Sequence, residues 1–242
     1  MTEDPARGQG EFRTTQWTMV LEAKDGSTDA STAALSRLCR IYWRPIYHFI
    51  RFQGHNIHDA EDYTQGFFET LIGKNYLKTV EQDRGKFRSF LMTAIKHYLC
   101  NQYDRKRALK RGGKTPIISL DIDDAEKSFH AESTLHKEPE VAFDRTWAKT
   151  LLERTNKKLQ QLYESRGKLD RYLALHPCLF GKGDQPYGEL ASRLSVTETV
   201  IKKEVSRMRQ TFRQLFQQEV LETLSDTSDL DAEVAYLISL FE

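Results

Sequence analysis

Basic side chains are concentrated in two stretches of the chain, and this concentration suits them to bind phosphate groups. From 101 to 114 a single acid, Asp104, stands among the cations Arg105, Lys106, Arg107, Lys110, Arg111 and Lys114. From 199 to 213 a single acid, Glu204, stands among Lys202, Lys203, Arg207, Arg209 and Arg213. Separate basic elements are typical of proteins that contact one polyanion at two points. The alternative interpretation is that both stretches are solvated helix faces.

Aromatic residues accompany the first basic stretch. Phe87, Phe90, Tyr98 and Tyr103 alternate with cations that begin at Lys86. Bases of a single strand stack on aromatic rings while Lys and Arg contact its phosphates, so residues 86–111 predict contact with an opened strand. The rings of Phe87, Phe90 and Tyr98 also fit a helical core, which is the preferred interpretation for them.

Residue patterns for catalysis are not found in the sequence. It contains no G-x-x-x-x-G-K-[ST], no G-x-S-x-G and no H-E-x-x-H. His55 with His58, and His97 with Cys100, have spacings of metal-binding pairs, but neither pair has a matching second pair. We therefore predict a protein that is not an enzyme and that uses no metal or other cofactor.

Composition and cysteine usage restrict the class of protein further. The 36 Lys and Arg residues nearly cancel the 35 Asp and Glu residues among 242 residues, so net charge alone indicates no partner. The three isolated cysteines form no C-x-x-C pair and no even disulfide set. No apolar run approaches the roughly 18 residues of a membrane span, and the N-terminus lacks the apolar core of a signal peptide. We expect an all-α cytoplasmic protein without membrane insertion.

Hydrophobic periodicity predicts helices along most of the chain and divides it into five parts. Apolar residues recur every three or four positions from 33 to 51, from 59 to 71 and from 87 to 99, and Pro45 is expected to kink or split the first of these helices. The predicted parts are an N-terminal segment with a short helix (1–30), a helical domain (31–113), a flexible acidic linker (114–142), a second helical domain (143–218) and an acidic C-terminal tail (219–242).

The second domain contains the pattern of a helix-turn-helix. Apolar residues of a short helix beginning at Tyr187 are followed by a break at 195–197 and by a stripe at Ile201, Val205, Met208 and Phe212. Thr197 is a suitable N-cap for the second helix, whose polar surface is basic. Such a helix fits the major groove, and the alternative is an ordinary helical hairpin. The predicted contacts to DNA are Thr197, Glu198, Lys202, Lys203, Ser206, Arg207, Arg209 and Arg213.

The two helical units resemble regions two and four of the extracytoplasmic-function sigma factors. Residues 187–198, with Ile201-Lys-Lys and Arg207-Met-Arg209, are similar to region four. Residues 42–47, 59–68 and 87–105 are similar to region two, and they occur in the order of the family. Ser195 stands where the family commonly has glycine at the turn.

This resemblance implies a bacterial sigma factor that binds core RNA polymerase through the β′ clamp helices and the β flap. It would recognise the minus-ten and minus-thirty-five promoter elements and promote DNA melting, and a loop at 79–84 would hold a flipped base. The implied polymerase contacts are Asp59, Glu61, Asp62, Gln65 and Phe68. The implied contacts to the minus-ten element and the melted strand are Lys86, Arg88, Lys96, Asn101, Arg105, Lys106, Arg107, Lys110 and Arg111. An anti-sigma protein is a further candidate partner.

Two other functions stay open at the level of the sequence. One is a helix-turn-helix regulator whose first domain senses a ligand or dimerises, and the other is a sigma-like polymerase adaptor without promoter reading. The C-terminal tail combines acids with apolar residues and contains no cation after Arg213. We expect the tail either to dock on the basic second domain and restrain its binding to free DNA, or to stay solvated.

Overall fold

The computed structural model describes residues 29–73, 86–108, 120–133, 138–181, 186–224 and 226–241. Over these residues the chain forms α-helices and no β-strand, which confirms the prediction of an all-α fold. The helices are α1 (Asp29–Phe52), α2 (Ile57–Gly73), α3 (Phe87–Ala108), α4 (Ile122–Ser133), α5 (Pro139–Ser165), α6 (Leu169–Leu175), α7 (Tyr187–Arg193), α8 (Glu198–Leu221) and α9 (Leu230–Ser239). Short 3-10 turns span His176–Cys178 and Thr227–Asp229. The short helix predicted before residue 29 and the loop at 79–84 lie outside the described residues.

Helices α1 and α5 form the centre of the molecule and pack along an aromatic seam. The Tyr42 ring stacks on Trp147 with 4.3 Å between ring centroids, and Phe87 at the start of α3 lies 5.3 Å from Tyr42. All three rings are buried, and aromatic pairs of this kind contribute about 0.5–1.5 kcal/mol beyond the area they bury. Helix α1 continues through Pro45 as one element, so of the two predicted outcomes, a kink or a split, the split does not occur.

The acidic stretch at 114–142 is not an irregular linker throughout, because residues 122–133 form helix α4. Glu126 of α4 accepts hydrogen bonds from Tyr47 Oη at 2.6 Å and from Arg51 Nε at 2.7 Å. Arg51 also lies over the Phe129 ring at 4.4 Å. The prediction of a flexible linker is wrong for these residues, since the carboxylate and the ring bind α4 to the side of α1.

Helix α5 crosses the predicted boundary between linker and second domain and contacts both halves of the chain. Its first half carries Trp147 against α1, while Arg154 in its second half donates to Glu219 of α8 at 2.6 Å. The Glu219 carboxylate is fully buried and also pairs with Lys158. Buried apolar side chains from Leu38 to Leu237 accordingly form one continuous cluster.

The C-terminal segment folds back onto the rest of the molecule. Helix α8 continues to Leu221, Phe87 N donates to Thr223 O at 3.0 Å, and α9 packs against α5 and α8. The tail therefore docks, as one of the two expectations had it. It leaves Lys202, Lys203 and the other polar residues of the first half of α8 exposed, so the expectation that it covers this basic surface is wrong.

Candidate nucleic-acid interface

Helices α7 and α8 are joined by a tight turn. Val196 N donates to Ala191 O at 3.0 Å, and Ala191 is buried where the two helices approach. Ser195 has φ +53°, the left-handed conformation that favours glycine, at the position where the resemblance leads one to expect glycine. Thr197 caps α8 by accepting from Val200 N at 3.4 Å. The turn and the cap fix the direction in which α8 leaves α7.

The first half of α8 presents a polar and basic surface opposite its buried stripe. Ile201, Val205, Met208 and Phe212 are buried, as the periodicity predicted. The exposed residues of this surface are Thr197, Glu198, Lys202, Lys203, Ser206, Arg207 and Arg213. Glu198 pairs with Lys202 at 2.7 Å, which raises the pKa of Lys202 and leaves the other cations of the surface without an ion-pair partner among the described residues.

Arg209 serves a different purpose from its neighbours on α8. Its guanidinium donates to three backbone oxygens of the turn that follows α6: Cys178 O at 2.7 Å, Leu179 O at 3.1 Å and Gly181 O at 2.6 Å. A donor group occupied in this way satisfies carbonyls that have no helical partner. Arg209 therefore holds the α6–α7 connection, and its contact with DNA stays a prediction.

Lys86 and Arg88, predicted to contact the melted strand, are bound by carboxylates. Glu233 of α9 accepts from Lys86 Nζ at 2.7 Å and from Arg88 Nε at 2.6 Å. Asp144 of α5 binds Arg88 Nη1 through both carboxylate oxygens, at 2.8 and 2.9 Å. Tyr236 stacks under the Arg88 guanidinium and donates to Asp144 at 2.5 Å. In this structure neither cation is free for a phosphate, which corrects the expectation that both lie open at a DNA surface.

The acid–base properties of this cluster follow from burial and from its hydrogen bonds. Burial of Glu233, whose side chain is 1% exposed, opposes ionisation, but the hydrogen bonds from Arg88 and Lys86 outweigh it and lower the pKa of the carboxyl. Burial and the hydrogen bond to Asp144 raise the pKa of Tyr236 to about 12. At neutral pH Glu233 is therefore ionised, whereas the Tyr236 hydroxyl keeps its proton.

The other predicted contacts on α3 lie further along the helix. Lys96 is half-exposed and pairs with Glu140 at 2.8 Å, and Asn101 is exposed. Arg105, Lys106 and Arg107 belong to the last turns of α3, whereas Lys110 and Arg111 lie outside the described residues. Phe87 and Tyr98 are buried, and Phe90 packs against the core, as the preferred interpretation predicted for these rings.

Helix α2 carries the residues predicted to bind polymerase. Asn56 caps it through a hydrogen bond from Asp59 N to Asn56 Oδ1 at 2.8 Å. Asp62 is exposed and Asp59, Glu61 and Gln65 are partly exposed, so these four lie at an accessible surface. Phe68 is 1% exposed, and its assignment as a contact residue is wrong because its ring belongs to the core beside Phe67.

Two cavities at the surface each have one predicted residue in their lining, Lys96 in the first and Arg207 in the second. The first, about 510 Å³, lies between α1, α2 and α3 and is lined mostly by apolar groups, including Phe49, Tyr63 and Leu99. The second, about 400 Å³, lies beside α8, where Arg207 faces Arg166, Lys168 and Arg171 across a polar groove. Sequence reasoning missed these last three cations. Their spacing in Arg166-Gly-Lys-Leu-Asp-Arg171 was the available signal, but it is too common to indicate a site alone.

Among the described residues, no group of three or more His, Cys, Asp or Glu side chains is placed to hold a metal ion. In the same part of the chain no helix has the length and apolarity needed to cross a membrane. Comparison of the chain with protein-family models, with curated proteins and with solved structures found no match.

Proposed function

We propose that this chain is a transcription initiation factor of the extracytoplasmic-function sigma type. The observation that carries the proposal is the helix-turn-helix of α7 and α8, in which the cap, the left-handed turn and the exposed cations Lys202, Lys203 and Arg207 occur together. A capped helix with a buried stripe and a basic outer surface is suited to the major groove. In this role it binds the minus-thirty-five element.

The other half of the proposed activity belongs to α2 and α3. The accessible acids of α2, with Asp62 the most exposed, are suited to charge-assisted contact with a basic surface such as the β′ clamp helices. The basic end of α3, which carries Arg105, Lys106 and Arg107, contacts the minus-ten element and the phosphates of the opened strand. Synthesis of RNA is the work of the polymerase.

A second candidate is a helix-turn-helix regulator that senses a ligand, and the apolar cavity between α1, α2 and α3 favours it. This cavity is lined by Phe49, Tyr63 and Leu99, and Lys96 and Cys100 also contribute to its lining. Apolar lining with a few polar groups is the usual form of a small-molecule site. A regulator of this kind binds duplex DNA on its own and needs no contact with polymerase.

Run-off transcription with purified bacterial core RNA polymerase separates these functions. The templates carry a randomised upstream region, so that no promoter sequence has to be known. An initiation factor yields RNA from a selected subset of templates, a polymerase adaptor binds core polymerase and yields none, and a regulator retains DNA without binding core polymerase. Absence of both RNA and polymerase binding would overturn the proposal.

A further inference from the structure

The groove beside α8 has the charge and shape of an anion site. It is formed by the C-terminal end of α5, by α6 and by the middle of α8. Four cations line it against one carboxylate, Glu204, and this carboxylate is engaged by Arg171 at 3.5 Å. Arg166, Lys168 and Arg207 have no ion-pair partner among the described residues. The groove therefore carries an uncompensated positive charge.

The remaining lining groups also suit a phosphate. Gln210 and Gln214 contribute amide donors, and Tyr163 also lines the groove. One arginine guanidinium binds two phosphate oxygens through two parallel hydrogen bonds, and neutral donors bind the remaining phosphate oxygens. A cavity of about 400 Å³ accepts a phosphate with its substituents, and its lining, in which polar and charged residues outnumber Tyr163 and Leu175, disfavours a hydrophobic ligand.

We infer that this protein groove binds phosphate. The phosphate belongs to the DNA backbone that borders the major groove in which α8 lies. Arg207 belongs both to the exposed surface of α8 and to this groove, so a duplex on α8 brings its backbone towards Arg166 and Lys168. This source of phosphate rests on the function proposed above. A free phosphorylated compound is the other source of the same chemistry.

The test uses the full chain with Arg166→Ala and Lys168→Ala together, because both side chains are exposed and their removal leaves the packing intact. The matched control is Arg40→Ala with Lys127→Ala, two exposed cations on α1 and α4. Binding to a labelled random-sequence duplex is measured against salt concentration. We expect the slope of log affinity against log salt to become shallower by about one to two for the groove variant, and to stay unchanged for the control.

A second arm titrates inorganic pyrophosphate into the same proteins by calorimetry. Pyrophosphate binding that the groove variant loses, with an unchanged DNA slope, would assign the groove to a free phosphorylated compound and overturn the DNA assignment. Equal slopes for both variants without pyrophosphate binding would overturn the phosphate site altogether. A reduced slope in a protein that yields no run-off RNA would retain the site and reject the initiation function.

A second inference comes from the ion pairs around Glu233, which are separate from the groove beside α8. Glu233 neutralises Lys86 and Arg88, and the only other carboxylate that binds Arg88 within the described residues is Asp144. Arg145 holds the end of the same segment by donating to Leu240 O and lying over the Phe241 ring at 5.0 Å. The segment 226–241 is therefore held at several points by cations of α3 and α5.

The geometry points to competition between α9 and an opened DNA strand for Lys86 and Arg88. The inference rests on the proposed function and extends it to Lys86 and Arg88, which the resemblance implies as further contacts to the melted strand. Because carboxylate and phosphate bind the same guanidinium and ammonium groups, a phosphate of the opened strand competes with Glu233 for the donors that Glu233 occupies on Lys86 and Arg88. In the structure described here α9 occupies both cations, so this is the restrained form.

Glu233→Gln tests this competition, with Asp231→Asn as the control that removes an equal charge from the exposed side of the same helix. Binding of the full chain to labelled oligo-dT is measured at low salt. We expect a several-fold gain in affinity for Glu233→Gln and a clearly smaller change for Asp231→Asn. Equal gains would mean that only net charge matters and would overturn the inference.

Hydrogen exchange of the unmodified chain gives a readout that does not depend on a variant. Addition of oligo-dT is expected to speed amide exchange in 230–239, since the strand displaces α9 from Lys86 and Arg88. Unchanged or slower exchange there would overturn the inference. Faster exchange in a protein that fails to support run-off transcription would keep the competition and reject the initiation function.

Discussion

At the scale of single residues, the position of a cation on a basic helix does not fix its role. Arg209 and Arg213 are one helical turn apart and both are exposed, yet the first donates to three carbonyls and the second has no ion-pair partner among the described residues. We expect Arg209→Ala to lower the free energy of unfolding by about 1–2 kcal/mol, because carbonyls of the turn lose a charged donor. Arg213→Ala should stay within about 0.5 kcal/mol of the parent protein. Urea unfolding measures both, and equal losses would contradict the role assigned to Arg209.

Glu233 gives the chain a stability that depends on pH. Its pKa is lowered in the folded protein, so its contribution is full above the ordinary value of 4.5 and is lost as the pH falls through the folded value. At pH 7 we expect Glu233→Gln to cost about 2 kcal/mol, since a buried carboxylate between two cations is removed. The difference between parent and variant should shrink as the pH falls below 4.5. A difference independent of pH would contradict the ionised pair.

Local pattern predicted the buried residues better than it predicted the partners of charged ones. Ile201, Val205, Met208 and Phe212 follow from periodicity alone, because helical spacing places them on one side. The two carboxylate partners of Arg88, Glu233 and Asp144, lie 145 and 56 positions away in the sequence, and no local signal links them to it. Lys86 and Arg88 were therefore interpreted from their neighbours as DNA contacts, whereas the fold places Glu233 against them.

At the scale of elements, the turn between α7 and α8 depends on one residue in an unfavourable conformation. Ser195 has φ +53°, and this left-handed conformation costs a residue with a Cβ atom about 1–2 kcal/mol more than it costs glycine. We expect Ser195→Gly to raise the midpoint of thermal unfolding. Ser192→Gly within α7 should lower it, because glycine in a helix costs about 0.5–1 kcal/mol. If both glycine variants lower the midpoint, the turn is not strained at Ser195.

Helix α4 shows why composition misled the prediction for the acidic stretch. Residues 122–133 are rich in acids, and acidic composition without a long apolar period favours disorder. The helix is nevertheless fixed, since Ala125 is buried and Glu126 meets Tyr47 and Arg51 of α1. Its stability comes from a polar partner in another element, which the sequence of the stretch itself does not contain.

At the scale of the whole molecule, α5 connects the two halves that the sequence separated into domains. The Tyr42–Trp147 stack and the Arg154–Glu219 pair place both halves against one helix. We expect one cooperative unfolding transition, with coincident curves from tryptophan fluorescence and from circular dichroism at a helical wavelength. Two separated transitions would indicate independent domains and contradict the continuous core.

The most direct measurement is run-off transcription that compares the chain with two charge-matched variants. Lys202→Ala with Lys203→Ala and Arg207→Ala removes exposed cations of α8, whereas Arg40→Ala with Lys127→Ala and Lys157→Ala removes exposed cations elsewhere. We predict RNA from selected templates with the parent chain and with the second variant. The α8 variant should keep its binding to core polymerase and lose at least tenfold in RNA yield. Equal yields from both variants, or no RNA from any protein, would contradict the central claim that α8 reads promoter DNA for initiation.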